Sequence, residues 1–167
     1  MFSKRSLFVP AALVSFGLIG TSVAKADGDA QCYTLASLKG TYAVVATYSA
    51  NVALALATRH FDGAGNLTGT FTLNAPVIGS TTGARTITTG TQVGTYSVNC
   101  NGTGVFTRTL TSSTGVVTTQ TDDFVITKAT EHDGRLLATA LEDAQRTPSA
   151  LVPGGLFVIR SYTRRPD

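Results

Sequence analysis

The residues of this sequence most able to do chemistry are a small set of basic and aromatic side chains on segments with strand character. A guanidinium offers two parallel donors to a carboxylate or carbonyl group, and a histidine supplies a proton near neutral pH. Together they would bind the polar end of an otherwise apolar molecule if their strands turned them toward one cavity. The alternative is that each lies half-solvated at the rim of the fold. The predicted ligand-binding residues are Tyr42, Tyr48, His60, Arg108 and Arg160.

Arg108 is the most informative member of this set because it falls between two large apolar residues. Alternate residues of a strand share a face, so Phe106, Arg108 and Leu110 are predicted to point inward together. A buried guanidinium without a partner is too costly to persist. Arg108 must therefore meet a carboxylate, with Asp122 and Glu142 as candidates, or reach a polar ligand or the wet mouth of the fold.

The same alternation assigns inward faces on three other strands. On the first and last strands, the predicted inward residues are Tyr42, Val44, Ala46, Tyr48, Leu156, Val158, Arg160 and Tyr162. On the segment from Val52 to Phe61, the large side chains of Leu54 and Leu56 share a face with His60, and Arg59 shares the other face with alanines. His60 is therefore predicted to point inward and Arg59 outward.

The acidic residues do not form a catalytic or metal-binding pattern. Asp122 and Asp123 are adjacent on a strand and must point to opposite faces, so they do not form a catalytic pair. Asp62 and Asn66 have the spacing of two calcium ligands, but the residue between them lacks a side-chain oxygen and a tight turn is predicted. The sequence has no nucleophile elbow, glycine-rich phosphate loop or zinc-binding helix pattern, so no catalytic residue and no cofactor is predicted.

The elements that must position these residues are strands. The chain has 17 glycines and no tryptophan, and its Thr- and Val-rich segments are separated by short turns such as Asp62–Asn66 and Asn101-Gly102. Strand character is found at residues 40–48, 52–61, 67–73, 85–89, 93–99, 104–111, 116–128, 135–142 and 156–163. The predicted fold is all-β: a single antiparallel meander of eight or nine strands closed into a barrel, since closure removes unpaired edges. A β-sandwich is the alternative.

Three stretches of the chain carry a resemblance to a known group of proteins. They are Cys32–Tyr42, His60–Gly69 and Gly94–Gly104, which hold turn and strand-start patterns. On these stretches the chain resembles a family of small exported bacterial proteins that is similar to the lipocalin-like and allene oxide cyclase-like β-barrels. The resemblance covers roughly Cys32 to Leu110 and implies a barrel fold; no catalytic residue is carried over from it.

The first 26 residues read as a removable export signal. Lys4 and Arg5 precede an apolar stretch, and Ala24-Lys25-Ala26 is a small-x-small cleavage site. The predicted organisation is a signal peptide at 1–26 and one β-barrel domain at 27–167, exported to the periplasm or outside the cell. Without the signal, 10 basic residues face 10 acidic ones, a balance that disfavours nucleic-acid binding. No later apolar run is long enough to span a membrane as a helix.

Cys32 and Cys100 are the only two cysteines, and export would take them to a compartment where disulfides persist. A disulfide between them is predicted. The alternative is a metal site that adds His60 and His132, but these four residues lack the close pairs that zinc sites use to fix two ligands locally, so no metal is predicted.

Three functions are compatible with such a barrel. The first is the binding of a small, largely apolar ligand in the interior. The second is an isomerase or cyclase similar to allene oxide cyclase, which would hold a lipid-like substrate in one conformer. The third is a structural or surface-interaction domain with a filled core. The volume of the interior cavity distinguishes the third from the first two.

Overall fold

Short turns between the strands place each strand beside the next one in the chain. The computed structural model describes residues 31–49, 52–152 and 154–166, and within them eight antiparallel strands close into one barrel in the order of the sequence, with the last strand pairing with the first. The predicted meander barrel is confirmed. The strands are β1 (Gly40–Tyr48), β2 (Ala53–Phe61), β3 (Asn66–Pro76), β4 (Arg85–Val98), β5 (Thr103–Ser112), β6 (Val117–His132), β7 (Arg135–Gln145) and β8 (Val158–Arg164).

The predicted signal peptide, residues 1–26, lies outside the described residues. The predicted start of the mature domain, at residue 27, also lies outside them. In the part of the chain that the structure describes, no helix is long and apolar enough to cross a membrane.

The turn between β2 and β3 shows how local chemistry sets the strand register. Asp62 Oδ1 accepts hydrogen bonds from the backbone N–H groups of Ala64 at 2.7 Å and Asn66 at 3.0 Å. Gly63 and Gly65 adopt φ values of 80° and 106°, which residues with side chains rarely adopt. The prediction of a tight turn here is confirmed, and the turn fixes the pairing of Phe61 with Leu67.

β4 is one strand where the sequence indicated two segments, which is why the described barrel has eight strands. The break was predicted around Gly90, but this glycine lies in the ladder and faces the interior. A Cβ added there would stand 2.4 Å from the Phe71 ring. The absent side chain makes room for a large neighbour and does not interrupt the strand.

The interior has two apolar halves separated by a layer of polar side chains. One half, the aromatic cluster, is filled by large side chains: Leu38, Tyr42, Phe61, Leu67, Tyr96, Phe106 and Phe124. Phe61 packs edge-on against Tyr42 and Tyr96 at ring centroid distances of 5.4 and 5.1 Å. The other half, the alanine half, has Ala46, Ala53, Ala55 and Ala75 in its wall together with Phe71, Leu73 and Leu110.

The segment before β1 closes the aromatic end of the barrel. A turn of 3-10 helix, Leu35–Leu38, buries Leu38 completely against the aromatic cluster, and Tyr96 donates a hydrogen bond to the Leu35 carbonyl at 3.0 Å. Cys32 and Cys100 are joined by a disulfide that ties this segment to the turn between β4 and β5. The predicted cysteine pairing is confirmed.

Candidate functional site

The middle of the barrel is crossed by a connected layer of charged and polar side chains. Each comes from an inward position on a strand, and all are almost fully buried. We call this set the polar layer: Arg59, Gln92, Arg108, Gln120, Asp122, Asp143, Arg160 and Tyr162. Burial of so many polar atoms is tolerable only where they satisfy one another by hydrogen bonds.

Arg108 is satisfied by a protein carboxylate. Its Nε and Nη2 atoms donate to Asp122 Oδ2 at 2.9 and 2.5 Å, and its Nη1 donates to Gln92 Oε1 at 2.9 Å. Phe106 and Leu110 are buried on either side, so the predicted face of β5 is confirmed. The predicted pairing of Arg108 with Asp122 is confirmed. The alternative pairing with Glu142 is wrong, because Glu142 lies on the outer face of β7.

Arg160 links the two buried carboxylates. Its Nη1 donates to Asp122 Oδ1 at 2.9 Å and to Asp143 Oδ1 at 2.7 Å. Burial alone would lower the pKa of Arg160, but Asp143 and Asp122 outweigh it and the pKa is raised. Arg160 therefore stays charged, and its predicted inward position is confirmed.

Arg59 is the third buried guanidinium and the one with the weakest carboxylate contact. Its Nη1 donates to the Tyr162 hydroxyl and lies 3.6 Å from Asp143 Oδ2, and its Nη2 donates to Gln92 Oε1 at 3.0 Å. Among the described residues, none accepts a hydrogen bond from Arg59 Nε. Burial lowers the pKa of Arg59 to about 10, with Tyr162 opposing the shift and Arg108 adding to it. The group is still protonated at neutral pH.

Next to Arg59 and Arg108, on the side of the alanine half, lies a cavity of about 20 Å³. That is room for one water molecule. Its apolar lining includes Ala46, Ala55 and Leu151. The interior beside these two arginines is therefore closely filled by the described residues.

The space that the alanines leave is filled from outside the sheet. Val152, in the connection between β7 and β8, is 1% exposed and packs in the alanine half, with Leu151 beside it. Ser149 holds this segment in place: its N–H donates to the Leu156 carbonyl at 2.7 Å, and its Oγ accepts a hydrogen bond from the Leu151 N–H at 3.2 Å. We call Ser149–Val152 the plug segment.

The two predicted tyrosines are both inside the barrel but do not meet. Tyr42 lies in the aromatic cluster, where its hydroxyl donates to the Ala138 carbonyl at 2.7 Å. Tyr48 lies in the alanine half and lines the small cavity. Burial raises the pKa of the Tyr48 hydroxyl, although Arg160 and Arg108 oppose the shift, so the hydroxyl is neutral. Of the five predicted site residues, Tyr48, Arg108 and Arg160 are brought together at this cavity.

The prediction that His60 points inward is wrong. The faces of β2 are reversed: His60 is exposed, with its Nδ1 3.2 Å from Thr41 Oγ1, and Arg59 is 1% exposed. The physical reason is that the polar layer and the plug segment take up the interior beside β2, so this strand buries its alanines and Arg59 and leaves Leu56 66% exposed on the outer wall. His60 instead lines an open surface cleft of about 620 Å³ at the aromatic end, which His132 and Arg135 also line.

Sequence reasoning also missed four members of the polar layer: Arg59, Gln92, Gln120 and Asp143. A signal for Arg59 was present in the sequence. Arg59 shares a strand face with the alanines of β2 and with Phe61, and the large apolar Phe61 indicates that this face is the buried one. Gln92 was missed because it falls at the predicted break within β4. Asp143 was missed because β7 runs to Gln145, whereas the predicted strand ended at Glu142.

Two further observations bear on what the site can hold. The described residues contain no group of three or more His, Cys, Asp or Glu side chains placed to bind a metal ion. Comparison of the chain with family models, curated proteins and solved structures found no match.

Proposed function

We propose that this chain is an exported β-barrel protein that binds a small, largely apolar molecule in the alanine half of its interior. The observation that carries this proposal is the plug segment. The barrel wall supplies small side chains in the alanine half, and the volume they leave is filled by Val152, which belongs to a connection and not to the wall. A purely structural barrel has no need of this arrangement, because larger wall residues fill a core more simply.

Ligand entry in this proposal requires the plug segment to move, since the present cavity holds about 20 Å³. Among the described residues, the hydrogen bonds of the plug lie within its own connection, from the Ser149 N–H to the Leu156 carbonyl and from the Leu151 N–H to Ser149 Oγ. An apolar ligand replaces the buried surface of Val152 with its own, so the hydrophobic contribution of the alanine half is retained when the plug leaves.

Export is supported by the predicted signal peptide and by the disulfide between Cys32 and Cys100. Disulfides persist in oxidising compartments and are rare in cytosolic proteins. The proposal therefore assigns the protein to the periplasm or the exterior of the cell.

Of the competing functions, the filled core agrees with the small cavity volume, and the cyclase finds the least support. A cyclase would need an acid or base beside its substrate, and both histidines of the described chain are exposed. Of the interior carboxylates, Asp122 is bound by two guanidiniums and Asp143 by Arg160 and Tyr162. The filled-core hypothesis differs from the proposal in one respect, which is whether the alanine half can be vacated.

Titration with the neutral fluorescent probe N-phenyl-1-naphthylamine tests the proposal. We expect saturable binding of one probe per barrel, with enhanced fluorescence because the probe enters apolar surroundings. Val152→Ala should tighten binding several-fold, since it weakens the side chain that competes with the probe. Ala46→Leu should weaken binding about tenfold or more by filling the cavity.

The matched control for this titration is Ala43→Leu. Ala43 lies on the same strand as Ala46, but on the outer face, where it is exposed. The control should bind the probe like the native protein. Absence of saturable binding by both the native protein and Val152→Ala would overturn the proposal and leave the filled-core function.

A further inference from the structure

The polar layer contains more positive than negative charge. Among the described residues, the buried charged side chains are Arg59, Arg108, Arg160, Asp122 and Asp143. Three guanidiniums thus face two carboxylates, and Tyr162 does not supply the missing charge because burial raises its pKa well above the usual range. One buried positive charge remains uncompensated, which is costly in a protein interior.

The uncompensated charge is concentrated at Arg59. Arg108 and Arg160 each donate directly to a carboxylate, whereas the nearest carboxylate oxygen to Arg59, on Asp143, is 3.6 Å away. The Nε of Arg59 has no acceptor among the described residues, although the side chain is 1% exposed. A buried cation with a free donor beside a cavity is the environment in which an anion binds most strongly.

A neutral oxygen stands where that anion would be expected. Gln92 Oε1 accepts from Arg59 Nη2 at 3.0 Å and from Arg108 Nη1 at 2.9 Å, so one amide carbonyl bridges two guanidiniums. Gly69 allows this position: a Cβ added to it would stand 2.9 Å from Gln92 Nε2. Arg59, Gln92 and Arg108 all line the small cavity at the floor of the alanine half.

We propose that the ligand of this barrel carries a single carboxylate, which binds at Arg59, close to Gln92 and Arg108, while its apolar body occupies the alanine half. This inference rests on the proposed function. One negative charge balances the polar layer, and the planar guanidinium of Arg59 offers its free Nε to a carboxylate oxygen. A neutral ligand leaves the excess charge in place, and a cationic ligand increases it. The ligand class is therefore an aliphatic or similarly apolar monocarboxylate.

Isothermal titration of the disulfide-bonded protein with decanoate, decanol and decylamine at neutral pH tests this inference. These probes share one alkyl chain and differ in the charge of the head group. We expect decanoate to bind about tenfold or more tightly than decanol, the difference that a charge-assisted hydrogen bond makes. Decylamine should bind more weakly than either.

The outcomes separate the two proposals. Equal binding of decanoate and decanol would overturn the monocarboxylate inference and leave the apolar binding function standing. Binding of none of the three would overturn both. Preference for decylamine would overturn the charge argument itself.

A substitution that supplies the missing charge gives an independent test. Gln92→Glu is nearly isosteric and places a carboxylate between Arg59 and Arg108. We expect it to raise the thermal midpoint of the ligand-free protein and to weaken decanoate about tenfold or more, with decanol affected less than twofold. Gln31→Glu, an exposed position, is the control for added charge and should change neither property. A Gln92→Glu protein with native decanoate affinity would contradict the inference.

Discussion

Asp122 is the residue on which the polar layer depends most. It accepts hydrogen bonds from two guanidiniums, Arg108 and Arg160, and its side chain is completely buried. Because the polar layer already has one positive charge in excess, removing a carboxylate should lower the free energy of unfolding more than removing an arginine does. The first increases the imbalance and the second removes it.

We expect Asp122→Asn to lower the free energy of unfolding by about 3–5 kcal/mol, since it leaves buried guanidiniums without their partner. Arg108→Met should cost less, because Arg160 still pairs with Asp122 and the remaining charges balance. Urea unfolding of both variants measures the two changes in the free energy of unfolding. Arg108→Met being the more damaging change would contradict the charge assignment of the polar layer.

The pH dependence of stability follows from the same pair of contacts. Burial raises the pKa of Asp122, but Arg160 and Arg108 outweigh it, so the pKa is lowered in the folded protein. A carboxyl with a lowered folded pKa stabilises the fold above the pKa of the unfolded chain, about 3.9, and this contribution is lost as the pH falls through the folded value. The difference in stability between the native protein and Asp122→Asn should therefore narrow below about pH 4.

At the scale of elements, the inward faces of β1, β5 and β8 could be predicted from the sequence, whereas the inward face of β2 could not. β1, β5 and β8 alternate large or aromatic residues on the buried face, as the hydrophobic effect requires. β2 buries alanines and Arg59 and exposes Leu54 and Leu56, because its interior space is shared with a connection and a polar layer that come from elsewhere in the chain. The alternation of residues within one strand does not show how much of the interior is filled by side chains from other strands and connections.

The disulfide is a second feature of the elements that can be tested. It closes a loop with a sequence separation of 68 residues and holds the 3-10 helix over the aromatic end. The loop-closure entropy of the unfolded chain sets an upper value of about 4 kcal/mol for its contribution.

Replacing both cysteines by serine should lower the thermal midpoint and leave the barrel folded, because all eight described strands pair without the bridge. Differential scanning calorimetry and far-UV circular dichroism measure the two effects. Loss of the β-sheet spectrum in the double variant would contradict this account.

For the whole molecule, the closed barrel could be predicted from strand count and turn chemistry, because short hairpins leave few alternatives to a meander. The polar layer could be predicted only in part. Arg108, Arg160 and Tyr162 are recognisable from their own strands, whereas Asp143 and Gln92 depend on where strands end or continue, which tertiary pairing decides. The plug segment has no sequence signal at all beyond an irregular, proline-containing stretch.

The most direct test of the central claim, that the barrel interior holds a small apolar molecule, is native mass spectrometry of the protein purified without denaturation. The account predicts a species carrying one added small-molecule mass per chain, which is lost on unfolding. Incubation with decanoate should restore such a species in protein refolded from the unfolded state. Detection of only the bare polypeptide mass, both after purification and after incubation with decanoate and decanol, would contradict the claim.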